Sequence, residues 1–345
     1  MELPRMVFCR AITFSLWSKP LKRGGLQNYI IRRLIYAVLI AFGVVTITFI
    51  LLRLGPSSPA DKYLANMSAR AQDPSQVIAA IEARYGLDKP LYEQYIDYVF
   101  NLARGDWGWS FSTSMPVIKL IKRHWVYSFQ LILLSVIFSA TLGLLIGVYS
   151  AVKQYTRTDY LATFFSFIGI SIPNFWLGIM LILVFSVQLG WFKSYYDTSL
   201  PMFSLANLKA LILPVFTLGT GMMAGYTRYA RSATLDNLRK EFVKTARAKG
   251  LPERVVIGKH VFRNAILPII TIIMFDLSGI VFGGAYLTEI IFGIPGLGRI
   301  SFNAIFANDY PVVVTITLIG AIVVLLTNLA TDIVYTWLDP RIRYN

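Results

Sequence analysis

Glu241-Phe-Val-Lys-Thr-Ala-Arg-Ala-Lys-Gly250, followed by Leu251-Pro-Glu-Arg254, is a short basic segment stranded between two long apolar runs. Phe242 to Ala248 favour a helix, and Ala246 and Ala248 are small enough to let that helix sit deep in a groove on a partner. Gly250 stops it, because glycine readily takes the left-handed backbone at a helix C-terminus. Lys and Arg concentrate in the cytoplasmic loops of membrane proteins, so charge alone assigns this segment a side.

The flanking runs set the class. Of 345 residues, 56% are hydrophobic and 15% charged, against about a quarter charged in soluble domains. Six apolar runs are long enough to cross a bilayer, which takes roughly 20 residues. They are Leu34–Leu52, Trp125–Val152, Tyr160–Phe192, Ala210–Thr227, Asn264–Leu287 and Tyr310–Thr331. The third is interrupted at Gly169, Pro173 and Gly178, and the fifth by Asp276. Basic residues crowd the stretch before the first run, the loop after the second (Lys153, Arg157), the loop after the fourth (Arg228 to Arg263) and the tail (Arg341, Arg343). The connections Trp191–Lys209 and Thr288–Asp309 are poor in them. Both termini are therefore expected in the cytoplasm, as an even number of spans requires.

The net charge of +15 follows from this topology. A nucleic-acid surface is disfavoured, because no basic groove with interleaved aromatics stands apart from the spans. A single cysteine, Cys9, excludes an internal disulfide and a cysteine metal cluster. His124 and His260 lie far apart without a second ligand nearby in sequence, so no metal site is expected.

The first span reads as an uncleaved anchor, since its apolar run exceeds the ~7–15 residues of a signal-peptide core. Before it, Phe8, Ile12, Phe14, Leu16 and Trp17 suit either a short interfacial helix or a loose tail. The segment Leu54–His124 reads as a small external helical cap, with Val77, Ile81 and Tyr85, and then Tyr92, Ile96, Val99 and Phe100, at helical spacing.

Several pieces, in order, carry a resemblance. They are Arg84-Tyr-Gly-Leu-Asp-Lys-Pro-Leu91 through Tyr95, Arg104-Gly-Asp-Trp-Gly-Trp-Ser-Phe111, and the Lys244–Gly250 loop. Beyond it come Arg263-Asn-Ala-Ile-Leu-Pro268, Glu289-Ile-Ile-Phe-Gly-Ile-Pro-Gly-Leu-Gly-Arg299, Asp309-Tyr-Pro-Val-Val313, Asp332-Ile-Val-Tyr335 and the closing Leu338–Tyr344. From about Tyr29 onward the chain resembles the B-type permease of the dipeptide/oligopeptide/nickel ABC importer family. Lys244-Thr245-Ala246 stands where the generic importer pattern has Glu-Ala-Ala, and Gly250 where it has Gly. Pro268 lies further from Gly250 than in the broader importer pattern, as in this subfamily.

The resemblance implies an all-α integral membrane protein of six transmembrane helices, with the type I ABC importer permease fold and a cytoplasmic coupling helix. Its divisions would be an N-terminal extension (1–28), a first span (29–53), the external cap (54–124), a five-helix core (125–336) with the coupling loop 228–263, and a tail (337–345). It implies a prokaryotic inner membrane, a second, C-type permease, two cytoplasmic ABC ATPases, an extracytoplasmic solute-binding protein and a peptide cargo. ATP and Mg would sit on the ATPases, with no cofactor in this chain. Nickel complexes, glutathione and oligosaccharides are the alternative cargoes. Glu241, Phe242, Lys244, Thr245, Ala246, Arg247, Ala248, Lys249, Gly250 and Leu251 would then contact an ATPase, Arg247 and Lys249 by pairing with acidic groups on it.

Other residues are read on their chemistry. Asp276, near mid-membrane, either lines the pathway and attracts a peptide's positive amino terminus, or is protonated, or bonds to a neighbouring helix. The family commonly has an uncharged polar residue there. Glu289 seals a gate, meets the binding protein, or is an exposed interfacial acid. Pro295-Gly296-Leu297-Gly298 is expected as a turn or re-entrant bend. Pro173, Asn174 and Phe175 break the third span, and since irregular backbone at membrane depth needs protein or water around it, the break either lines the pathway or kinks a packed helix. Asn328 and Asp332 are expected to bond to a neighbouring helix. No Gly-x-x-x-x-Gly-Lys-Ser/Thr loop is present to cradle nucleotide phosphates, and no catalytic constellation is visible. A stand-alone secondary transporter lacks support in an internal repeat. A membrane-embedded enzyme would need more than Asp276.

Overall fold

The computed structural model describes residues 26–53, 89–282, 285–307 and 309–338. The expectations for Phe8 to Trp17, for Val77, Ile81 and Tyr85, and for the tail beyond Leu338 lie outside these residues.

α1 (Leu26–Arg53) carries the first apolar run. α2 (Leu91–Ala103) starts behind Pro90 and places Tyr92, Ile96, Val99 and Phe100 on one helix, as their spacing predicts. α3 (Val117–Val152) has 36 residues. At 1.5 Å per residue it is about 54 Å long, well beyond the roughly 30 Å hydrocarbon core. The helix begins behind Pro116, eight residues before the apolar run that starts at Trp125, so residues 117–124 are helical and continuous with that run.

α4 (Arg157–Ser171) and α5 (Asn174–Gln188) meet at 97°. Of the three interruptions expected in this run, only Pro173 breaks the helix; it stands at the N-cap of α5. Gly169 and Gly178 remain helical and act in packing. A Cβ on Gly169 would lie 3.1 Å from that of Ala224, and one on Gly178 3.3 Å from Thr217 and Phe292. From Ile182 onward α5 widens into a π turn.

α6 (Leu205–Ala210) is capped by Ser204, whose hydroxyl accepts from the Asn207 amide. α7 (Ile212–Leu238) has 27 residues. The run Ala210–Thr227 looks like the shortest span, yet the helix continues through Arg228–Leu238, where no Gly or Pro stops it. α8 (Glu241–Ala248) follows after a two-residue turn. α9 (Glu253–Ala265) contains a π turn at Val256–Val261, and α10 (Leu267–Phe282) bends away from it by 55°. α11 (Tyr286–Ile291), α12 (Leu297–Phe306) and α13 (Tyr310–Leu338) complete the described chain. Among the described residues, α3 and α13 are each long and apolar enough to cross a membrane, and the α4–α5 and α9–α10 pairs each qualify as one broken span.

The centre of the molecule is the α3–α7 contact. Ser135, Ser139, Gly143 and Gly147 recur every four residues on the buried stripe of α3. A Cβ on Gly143 would sit 2.8 Å from Tyr226 Cβ, and one on Gly147 2.7 Å from Ala230 Cβ. From the other side, a Cβ on Gly219 of α7 would meet Phe138 at 2.7 Å. Ser139 Oγ donates to the Gly219 carbonyl at 2.8 Å. Lipid tails are as apolar as leucine, so helices in a bilayer associate through such close packing and interhelical hydrogen bonds.

Around this pair α4 and α5 pack on α7, α10 on α3, and α13 on α10 and α1. Asp332 of α13 pairs with Arg33 of α1 at 3.0 Å, and Tyr335 of α13 hydrogen-bonds Thr271 of α10. The interhelical bond expected of Asp332 is present, whereas Asn328 is exposed.

Gly147→Leu should fail at this contact. Overpacking a tight site costs about 1–3 kcal/mol, and here the added atoms meet backbone. The solubilised variant should melt lower than wild type or lose its monodisperse peak; an unchanged melting curve would contradict the packing.

Candidate functional site

The basic segment forms a capped helix with two distinct faces. Gly250 has φ +74°, and the closing bonds run from its amide to the Arg247 carbonyl (2.9 Å) and from the Leu251 amide to the Ala246 carbonyl (3.4 Å). This is the glycine-capped ending in which successive amides turn back on the last carbonyls. Val243 and Ala246 face inward, 0% and 5% exposed, onto Val256 and Val261 of the π turn in α9, with Leu238 alongside. Ala246 therefore fills this chain's own small core and is not on a partner-facing surface; the small-residue argument passes to Ala248 alone.

The exposed face carries Glu241, Phe242, Lys244, Thr245, Arg247, Ala248, Lys249, Gly250 and Leu251. Two of its cations are already paired within the chain. Lys244 Nζ donates to Glu241 at 2.7 Å. Arg247 forks onto Glu253 at 2.6 and 3.1 Å, which ties the end of α8 to the start of α9. Lys249 is exposed and keeps its charge available.

A polar clamp fastens the base of α7. Asp159, 2% exposed, accepts from Arg231 Nε at 2.6 Å and Nη2 at 2.9 Å. It also accepts from the Ser150 hydroxyl and from the Tyr155 amide at 3.0 Å. One carboxylate thus joins the end of α3, the start of α4 and the lower part of α7. In sequence Arg231 is one of ten basic residues in a loop, and nothing local marks Asp159 as its partner 72 residues away.

At the opposite end, Glu289 is fully buried, which corrects the expectation of an exposed interfacial acid. It accepts from Ser128 Oγ at 2.6 Å and from the Arg299 amide at 2.8 Å. Ser128 Oγ in turn accepts from the Leu297 amide at 2.7 Å. A carboxylate at a helix N-terminus satisfies otherwise orphaned amides, and here it anchors the start of α12. The turn expected across Pro295–Gly298 is accordingly corrected: Gly296 is the N-cap, and Leu297 and Gly298 lie in the first turn of α12. Both glycines are required for space, since a Cβ at Gly296 would fall inside the Glu289 carboxylate and one at Gly298 would sit 2.8 Å from Tyr286 Cα. His124 Nδ1 lies 2.7 Å from the Pro295 carbonyl and holds the same turn from α3.

Two motif pieces meet nearby. Asp309 is fully buried. It accepts from the Phe111 and Ser112 amides at 3.1 and 3.0 Å and from the Ser112 hydroxyl at 2.6 Å, so the Arg104–Phe111 loop is pinned to the start of α13. Asp276 is partly buried and accepts from Tyr226 Oη of α7 at 2.5 Å. Pro173, Asn174 and Phe175 form the α4–α5 corner. Asn174 lies against Gly221, and Phe175 is 46% exposed. Asp276, Glu289 and the Pro173–Phe175 corner are thus held by three separate sets of contacts. Among the described residues no three His, Cys, Asp or Glu side chains converge to hold a metal.

This architecture is a helical core, with helices long and apolar enough to cross a membrane, that carries a short basic helix exposed at one end. The sequence matches the binding-protein-dependent transport system inner membrane component family over residues 143–344 and its N-terminal region over residues 26–132, and the chain belongs to that family. It is 40% identical over 321 residues to the oligopeptide transport system permease protein AppB of Bacillus subtilis (strain 168), covering 92% of this chain and 99% of AppB. It is 39% identical over 337 residues to the di/tripeptide transport system permease protein DppB of Pseudomonas aeruginosa (strain UCBPP-PA14), with the same coverage. To the glutathione transport system permease protein GsiC of Escherichia coli (strain K12) it is 34% identical over 317 residues, covering 92% and 99%. A chain of the MetNI methionine ABC transporter in an inward-facing form superposes with a TM-score of 0.50 at 20% identity, covering 65% of this chain and 98% of that one. The fold is that of a type I ABC importer permease.

The Asp159–Arg231 clamp is testable by a double-mutant cycle. Removing one partner of a buried pair costs about 3–5 kcal/mol, while replacing both with apolar residues is far milder. Asp159→Leu and Arg231→Met should each lower the melting temperature sharply, and the double variant should recover much of the loss. Additive losses would contradict a coupled pair.

Proposed function

We propose that this chain is the B-type permease of an ATP-driven importer that carries di- and oligopeptides inward by alternating access. The observation that carries the reading is α8, a capped basic helix whose exposed face is joined through a two-residue turn to the long core helix α7. A force applied to α8 reaches α7 directly, α9 through the shared core beneath α8, and α3 and α4 through Asp159 and Arg231. Relatives whose names specify oligopeptides, dipeptides and di/tripeptides support the cargo. Glutathione, itself a peptide, is the second reading, favoured by the relatives named as glutathione permeases.

Six spans are reached when the apolar runs carried by α1 and α7 join the four candidates above. Both termini then lie in the cytoplasm with α8. A homologous C-type permease, two cytoplasmic ABC ATPases and an extracytoplasmic solute-binding protein complete the complex. ATP and Mg belong to the ATPases, and this subunit hydrolyses nothing itself. Phe242, Lys244, Thr245, Ala248, Lys249 and Leu251 contact an ATPase, while Arg247 and Gly250 shape the helix end. Asp276 and the Pro173–Phe175 corner are the pathway candidates. Glu289 contributes to any outer gate by holding the turn before α12, since it is buried away from a binding protein.

Co-purification from native membranes tests this. Ala248→Arg and Lys249→Glu alter the exposed face, and each should reduce ATPase recovery roughly tenfold, equivalent to about 1.4 kcal/mol, at an unchanged melting temperature. Ala246→Arg should instead destabilise the chain itself. If wild type brings down no ATPase in a gentle detergent, the importer reading fails.

A further inference from the structure

A second feature lies on the outer side of the same end of the molecule. The α3 surface opposite its glycine stripe, the start of α4 and the π turn of α9 enclose an open groove of about 880 Å³. That is within the roughly 300–1,000 Å³ of ordinary ligand sites. Leu145 (65% exposed) and Tyr149 (55%) form one wall, with Ala162 and Ile257 facing them. Its lining is almost wholly apolar. At the rim the chemistry changes. Val152, Thr158 and Gly258 line the groove, and the next or preceding residue of each is a cation: Lys153, Arg157 and Lys259. All three are exposed. Among the described residues none of them appears in an ion pair.

We propose that this groove is a binding site for an anionic glycerophospholipid, with an acyl chain along α3 and the phosphate at Lys153, Arg157 and Lys259. Charge complementarity selects this occupant. Lys153 caps the apolar α3, Arg157 opens α4 and Lys259 lies in the π turn of α9; in the topology proposed above, on which this inference rests, all three lie on the cytoplasmic side, where the leaflet offers negative charge. The lipid would touch the coupling segment directly: Ile257 and Gly258 line the groove, while Val256 and Val261 of the same turn support Val243 and Ala246 of α8. Occupancy of the groove therefore braces the helix that meets the ATPase.

The test uses the full-length chain with whatever subunits accompany it, and reads lipid retention by native mass spectrometry, so it is independent of transport and of ATPase binding. Phosphatidylglycerol should be retained in preference to phosphatidylcholine. Lys153→Gln, Arg157→Gln and Lys259→Gln should weaken phosphatidylglycerol retention roughly fivefold per charge removed, without moving the melting temperature. Ala162→Trp, which fills the groove, should reduce retention of both lipids. Equal retention of the two lipids by wild type, or retention unaffected by the charge variants, overturns the proposal. So does displacement of the lipid by millimolar inorganic phosphate, which would indicate a free-anion site, or an efficient crosslink from a benzophenone photoprobe placed at Leu145 to a partner permease, which would make the groove a subunit interface. Should the variants fold poorly, a photoactivatable phosphatidylglycerol on wild type decides: labelling within 140–152 and 256–262 supports the site, and labelling confined to other surfaces overturns it.

Discussion

The backbone-to-backbone approach of α3 and α7 is the contact on which the other elements depend. A bilayer supplies no hydrophobic drive between helices, so this pair is held by the closeness that Gly143, Gly147 and Gly219 permit and by the Ser139–Gly219 hydrogen bond. α4 and α5 then wrap α7, α10 leans on α3, and α13 closes the far side with α1.

Polar groups finish what the small residues begin. Unpaired polar groups are costly in an apolar surround, so each buried carboxylate is multiply bonded. Asp159 ties three helices at the basic end; Glu289 and Asp309 tie loops to helix starts at the other. The two ends differ in kind. One is built around a charged, exposed helix, the other around buried acids that fix turns. The long α3 and α7, packed closely along their length, join the two ends.

Much of this was legible in the residue pattern. Apolar run lengths and the placement of Lys and Arg are local properties, and they predicted helices, breaks and the basic loop. Pro173 was read correctly as a break because proline removes an N–H wherever it stands in a helix. Gly169 and Gly178 were read wrongly because a single glycine weakens a helix by only about 1 kcal/mol, and here close packing against Ala224, Thr217 and Phe292 uses the missing side chain. The Gly143–Gly147 spacing is visible in the sequence, but its partner surface on α7 is not.

The sequence by itself determined the class, the basic helix with its glycine stop, and the motif order that marks the family. All three depend on composition, on charge, or on residues within a turn or two of one another. Only the tertiary structure decided that Ala246 faces its own chain, that Glu289 is buried, that Arg104–Phe111 is pinned by Asp309, and that Asp159 belongs to Arg231. Those outcomes turn on which helix faces which, and that is set by steric fit between surfaces far apart in the chain.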